Sequence, residues 1–251
     1  MKIIGSIEAR MGSSRLPGKT MQPVFDDMPL LEAVFHRFRQ CRQIDGLLVA
    51  TSVAPGDDVI AIWCTDNDVV CHRGSEDDVL ARVVGAARAA GADAIVQMGA
   101  DSAYLDALLI DQLIGLYKDD AYDLVCNTLE LTYPLGIYGH IVRVSSLEDI
   151  NRRDDLSPAD REDVTRYIWE HKEQFRLLNI KAPPELHYPE LRFTVDYPED
   201  MVLAQNIYTH FGGLRFTTAD LIALYRRDPS LFADTLKLKQ EAAPHLSLMQ
   251  R

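Results

Sequence analysis

Through its first half the chain alternates short apolar runs with longer amphipathic stretches, and this alternation restricts the fold more than any other feature. A short apolar run suits a strand buried on both faces, and apolar residues recurring every three or four positions suit a helix that covers it. The pattern predicts strands at Lys2–Ile7, Gly46–Ala50, Asp68–Cys71, Ala94–Gln97 and Tyr122–Asn127. Between them it predicts helices at Leu30–Cys41, Asp57–Thr65, Asp77–Ala90 and Ala107–Tyr117. Such β-α repetition implies an α/β, Rossmann-like fold, a mainly parallel sheet flanked by helices on both faces. In sheets of this kind ligands bind at the carboxyl ends of the strands.

From Thr128 to about His187 the regularity lapses. Helices are expected at Ser145–Arg152 and Pro158–His171, the second capped by Ser157. Short strands at Phe175–Ile180 and Leu191–Val195 would extend the sheet edge or form a small lobe. Helices return at Pro198–His210 and Thr218–Arg226, with a last one over Pro229–Gln240. The reading is one domain over residues 1–251, in which 128–190 form a small irregular α+β insertion.

A formal net charge of −12, from 38 acidic and 26 basic residues, makes the surface repel duplex phosphate and argues against sequence-independent nucleic-acid binding. A small anionic ligand remains compatible where basic residues cluster, as they do near the N-terminus. Cys41, Cys64, Cys71 and Cys126 are scattered singly, which suits packing better than a zinc site or disulfide framework. Met1-Lys2 leads straight into a strand-like run with no small-residue cleavage site, and no run approaches the ~20 apolar residues that span a bilayer. The expectation is a cytoplasmic protein with no membrane partner.

The segment Ala9-Arg10-Met11-Gly12-Ser13-Ser14-Arg15-Leu16-Pro17-Gly18-Lys19 follows the first strand. It brings three cations, two hydroxyls and two glycines together. Glycines let backbone N–H groups approach a phosphate, and cations neutralise its charge. Neither the Walker A nor the dinucleotide spacing fits. On the residues alone, a phosphate cradle and a solvated basic turn both remain open.

This segment resembles the phosphate loop of the CMP-sugar synthetases, the acylneuraminate and 3-deoxy-manno-octulosonate cytidylyltransferases. It is most similar to their spore-coat-polysaccharide branch, with its A-R-M-G-S-S-R-L-P-G-K stretch. The resemblance implies the nucleotide-diphospho-sugar transferase, GT-A-like version of the fold. It also implies that Arg10, Arg15 and Lys19 hold the nucleotide's phosphates, assisted by Ser13, Ser14 and the amides of Ala9, Met11 and Gly12. Arg73-Gly74-Ser75-Glu76-Asp77-Asp78-Val79-Leu80-Ala81-Arg82 resembles the family's R-G-S-x-x-D-V-L-x-R beside the nucleotide. Ser75 would cap the following helix, contact the ribose, or do both. Gly99-Ala100-Asp101-Ser102-Ala103-Tyr104-Leu105-Asp106 resembles a block whose first aspartate binds Mg²⁺, while Asp106 reads as the N-cap of the next helix. Thr194-Val195-Asp196-Tyr197-Pro198-Glu199-Asp200 resembles V-D-x-P-E-D, whose aspartate supplies a second metal ligand. Pro198, Glu199 and Asp200 are also ordinary helix-start residues, and N-capping is open to Asp196 as well. Glu162–His171 resembles a family E-x-V-T-x-Y-I helix, and the likeness runs to about Phe232.

What the resemblance implies is a Mg²⁺-dependent nucleotidyltransferase. It would use CTP to convert a sugar, sugar acid or related acceptor to its CMP conjugate, with release of pyrophosphate. Arg10, Lys19 and Asp101 are the candidate catalytic residues, and Asp101 with Asp196 the candidate metal ligands. Asn127, Tyr138 and His140 are the candidate acceptor contacts. Here the chain departs from its relatives, which carry Arg in place of Leu131 and acids in place of Tyr138 and His140; an altered acceptor is the expectation, neutral drift of a surface loop the competing one. His140 is a candidate base or simply a solvated loop histidine. A homodimer through the irregular region is implied by the family. Guanylyl transfer to a sugar 1-phosphate, a glycosyltransferase (for which no D-x-D motif ends strand Ala94–Gln97) and a non-catalytic nucleotide-binding protein are the alternatives.

Overall fold

The computed structural model describes residues 1–238. Their centre is a sheet in which β5 (Val70–Gly74), β4 (Gly46–Ser52), β1 (Ile3–Glu8), β6 (Ala94–Gly99), β8 (His140–Arg143), β7 (Leu124–Cys126) and β9 (Leu177–Asn179) lie side by side in that order. Pairing is parallel except around β8, which runs antiparallel to both β6 and β7. A two-stranded ribbon, β2 (Pro23–Phe25) with β3 (Met28–Pro29), stands apart and carries the chain from the basic loop into α1 (Leu30–Phe38).

Strand side chains alternate faces, so β1 divides its apolar residues between two cores. Ile3 and Ile7 join Val49, Val96 and Met98 in the larger core, with residues of α1, α2 (Asp58–Asp66), α4 (Ala107–Asp119), α8 (Pro198–Phe211) and α9 (Thr218–Arg227). Ile4, Leu48 and Ile95 face the other way, toward α3 (Val79–Ala89) and α5 (Val144–Asn151). Caps fix where the helices begin. Asp78 accepts from the Ala81 amide at the start of α3, and Asp106 from the Leu108 amide at the start of α4. Asp106 also accepts from the Thr218 amide and hydroxyl, tying α4 to α9.

Three expectations are corrected. The single helix expected over Pro158–His171 breaks into α6 (Pro158–Glu162), opened by a Ser157–Asp160 capping box, and α7 (Arg166–Glu170). Asp163 adopts an extended conformation and its carboxylate takes the Thr165 amide and hydroxyl, a local bond that competes with helix propagation. The strand expected at Leu191–Val195 is reduced to a single bridge, Leu135 to Arg192, because the partner segment turns away at Pro134 and at Gly136, which has φ +88°. The helix expected over Pro229–Gln240 resolves into 3-10 turns at Pro229–Phe232 and Thr235–Lys237, its last two positions lying outside the described residues. The antiparallel β8 was not expected, and it absorbs His140 into the sheet. No helix among the described residues is long and apolar enough to cross a membrane.

Candidate active site

A cavity of about 390 Å³ opens where the carboxyl ends of β1 and β6 meet the basic loop. The loop is built to turn back on itself. Gly18 takes the left-handed φ of +72° and donates its amide to the Met11 carbonyl, while Thr20 Oγ1 donates to the Arg10 carbonyl at 2.7 Å. Asp57, at the end of the turn after β4, accepts from the Met11 amide at 2.6 Å. Ala9, Arg10, Gly12, Ser13, Ser14, Arg15 and Lys19 all line the cavity. Met11 does not; its side chain packs against the core.

Lys19 organises the acidic wall. Its Nζ donates to Asp101 Oδ2 at 2.9 Å, to Asp196 Oδ1 at 3.0 Å and to the Val195 carbonyl at 2.7 Å. Asp101 reaches this point from the turn after β6, where a Cβ on Gly99 would stand 2.6 Å from its carboxylate. Asp196 arrives just before α8, whose N-cap is Tyr197; capping is done by Asp200, and the Asp196 carboxylate is left facing Lys19. Arg15 pairs with Asp196 Oδ1 at 2.9 Å and stacks 5.3 Å from the centre of the Tyr197 ring. On the far side buried Arg192 donates to Asp196 Oδ2 and forms a two-pronged pair with buried Asp200. Burial alone would weaken both charges. The opposite partners outweigh it, so Lys19 holds its proton more tightly than usual and Asp196 loses its proton more readily.

Other assignments fare differently. Arg73 turns its guanidinium to the Ser52 and Ala54 carbonyls and to Asp58, away from the cavity. Ser75 accepts from the Asp78 amide at 3.0 Å and lines no part of the cavity either. Asn127 clamps its own loop, donating to the Ile137 carbonyl and accepting from the Gly139 amide. The Tyr138 hydroxyl meets the Gly99 amide and Ser102 Oγ, each at 3.0 Å. His140 is a buried strand residue between Gln97 and Thr128, and neither a solvated loop histidine nor a cavity-lining one. The three acceptor candidates therefore brace the rim from behind.

Sequence reasoning gave no site role to Glu8 or Glu162, which line the same cavity, or to Arg192 behind it, and carried cavity-lining Arg82 only as the end of the motif that begins at Arg73. Glu162 meets Arg10 at 3.4 Å across the mouth. Glu8 ends β1 facing α3; its Oε2 accepts from Gln97 Nε2 at 2.8 Å, and Oε1 has no partner. Burial, partly offset by Gln97 and Arg82, pushes its carboxyl up to about 8. An acid ending an otherwise apolar strand just before a basic loop was the available signal.

Two carboxylates and a carbonyl around one cationic point are hard oxygen donors, the kind Mg²⁺ takes alongside phosphate oxygens and water. Among the described residues no cluster of three or more His, Cys, Asp or Glu side chains could hold a metal by itself. The donor set thus suits an ion that brings most of its shell with a ligand.

A sequence model of the family described as Cytidylyltransferase matches residues 4–242. The chain belongs to the cytidylyltransferase family. Spore coat polysaccharide biosynthesis protein SpsF of Bacillus subtilis is 34% identical over 232 residues, covering 90% of this chain and 95% of that protein. A cytidylyltransferase from Leptospira borgpetersenii superposes with a TM-score of 0.87 at 27% identity, covering 96% of this chain and all of that one. The fold is shared more distantly, at 16% identity and a TM-score of 0.63, by a CMP:2-keto-3-deoxy-manno-octonic acid synthetase solved with CTP; that match covers 84% of this cytidylyltransferase and all of the synthetase. The fold described above is thus the one that these solved relatives share.

Proposed function

We propose that this cytidylyltransferase moves the cytidylyl group of CTP, with Mg²⁺, onto a sugar, sugar acid or related acceptor in the cytoplasm, releasing pyrophosphate. One observation carries the reading: Asp101 and Asp196 converge within 3.0 Å of a single cation, Lys19, beside a cradle holding Arg10 and Arg15. SpsF, a spore-coat polysaccharide protein, points the acceptor toward polysaccharide precursors.

Nucleotidyl transfer needs in-line attack by an acceptor oxygen on the α-phosphorus, and positioning with charge neutralisation is sufficient for it. Arg10 and Arg15 would bind the triphosphate and offset charge gathering on the departing pyrophosphate. Ser13, Ser14 and the Gly12 amide would fix its orientation. Asp101 and Asp196 would hold Mg²⁺, which neutralises phosphate charge and makes the acceptor hydroxyl more acidic. Asp200 and Arg192 keep Asp196 turned inward.

Pyrophosphate release is to be followed with each of the four nucleoside triphosphates and a panel of sugars, sugar acids and sugar phosphates, with Mg²⁺ and with EDTA. CTP-dependent, EDTA-sensitive release is expected. Preference for GTP with a sugar 1-phosphate, or release indifferent to EDTA, would overturn the corresponding half of the reading. A homodimer through residues 128–190 belongs to the same reading, and light scattering at assay concentration tests it.

A further inference from the structure

An ammonium has three hydrogens and no acceptor, and all three of Lys19 are spent on Asp101, Asp196 and the Val195 carbonyl. The side chain is only 11% exposed. A lysine held this way has no hydrogen left to give a phosphate. Yet two of the three oxygens around it belong to the acids that the cytidylyl-transfer reading assigns to the metal. The ammonium and a divalent ion therefore claim one position, and both cannot occupy it.

We propose that Lys19 is a resident counterion that a divalent cation displaces. The ion takes the Oδ atoms of Asp101 and Asp196 together with the Val195 carbonyl, and the freed ammonium, still protonated, swings to the triphosphate. The lysine thereby screens two acids from each other in the free protein and joins the phosphate cradle only once the ion has arrived. Arg192 stays on Asp196 Oδ2 throughout, so that acid remains oriented during the exchange. Because the displaced ammonium gains an anionic partner when nucleotide is present, ion and nucleotide strengthen each other's binding, and such coupling is reciprocal. The inference rests on the proposed cytidylyl-transfer reading for the nucleotide but not for the exchange itself.

The test uses Mn²⁺ alone as probe, on the full chain without nucleotide, with free ion measured by electron paramagnetic resonance. Lys19→Met is expected to bind Mn²⁺ about tenfold more tightly than wild type. Arg15→Met removes the same charge from Asp196 but not the bridge, and is expected to tighten binding by less than about threefold. Should Lys19→Met fail to fold, the wild type decides. Acylation of Lys19, followed by mass spectrometry, should quicken severalfold when Mn²⁺ is saturating. Unchanged Mn²⁺ affinity in Lys19→Met, an equal gain in Arg15→Met, no Mn²⁺ binding to any of the three proteins, or Lys19 reactivity indifferent to Mn²⁺ would each overturn the exchange. Turnover of CTP is scored separately on the same wild-type preparation. Exchange without turnover sinks the cytidylyl-transfer reading, and turnover without exchange sinks this one.

Discussion

Arg192 shows how much of a site can lie behind it. The residue is buried, and its guanidinium reaches Asp200 with two nitrogens and Asp196 with one. Removing one member of a buried ion pair typically costs about 3 kcal/mol, because the remaining charge loses its partner. Arg192→Met is therefore expected to lower the melting temperature and to slow CTP turnover. Asp101→Ala should behave differently, since its carboxylate is partly exposed and supports nothing beyond Lys19 and the turn. A loss of roughly 100-fold in rate with an unchanged melting temperature is expected; near-wild-type turnover would remove Asp101 from the mechanism. Glu8 gives a pH signature. Its carboxyl is held at about 8 against an ordinary 4.5, so the folded protein binds more protons than the unfolded chain between those values, and stability falls as pH rises through that window. Glu8→Gln keeps an oxygen for Gln97. It should raise the melting temperature clearly at pH 8.5 and hardly at pH 5, a difference that thermal melts at the two pH values will read.

The elements were legible in proportion to how local their causes are. Strands of the parallel half appear as apolar runs; Ser157 and Asp106 mark helix starts through bonds made within one turn, and Pro198 through its fixed backbone angle. The basic loop and both acids were visible because residue type and order carried them. What escaped depends on partners distant in sequence. Nothing near His140 announces a strand that pairs with Gln97, and nothing near Arg192 announces a bridge to Leu135. The break between α6 and α7 turned on a side-chain bond from Asp163 that competes with an otherwise good helical pattern. Arg73 and Ser75 were placed at the nucleotide by motif, whereas their side chains serve the local turns. At this scale Gly136 is the most exacting position. Its φ is +88°, and an added Cβ would stand 1.9 Å from the Phe193 carbonyl oxygen. Gly136→Ala should cost several kcal/mol in a denaturant titration and, by pushing the Phe193–Val195 segment, should disturb Asp196 and depress turnover.

Across the whole molecule the charge is strongly negative, −12 overall, yet one cavity wall collects Arg10, Arg15 and Lys19. An anionic nucleotide must cross a repelling field to reach an attracting pocket. Added salt should accordingly weaken CTP binding through the pocket's exposed arginines by severalfold between low and high ionic strength. Titration calorimetry across a sodium chloride series, run on the wild type and Arg10→Met, checks this, and an equal salt dependence in the two would mean that Arg10 does not face the phosphates. The sheet itself has one more consequence. Because β8 alone runs against its neighbours, the chain must return to the ligand-bearing rim before entering it, and the span 127–139 hangs there as a detour outside the β-α repeat. Away from Gly136 and the Asn127 and Tyr138 anchors, the exposed turn at Glu130 can be rewritten in length and chemistry while the parallel strands stay in register. It offers descendants of this scaffold a place to change what they handle without relearning how to fold.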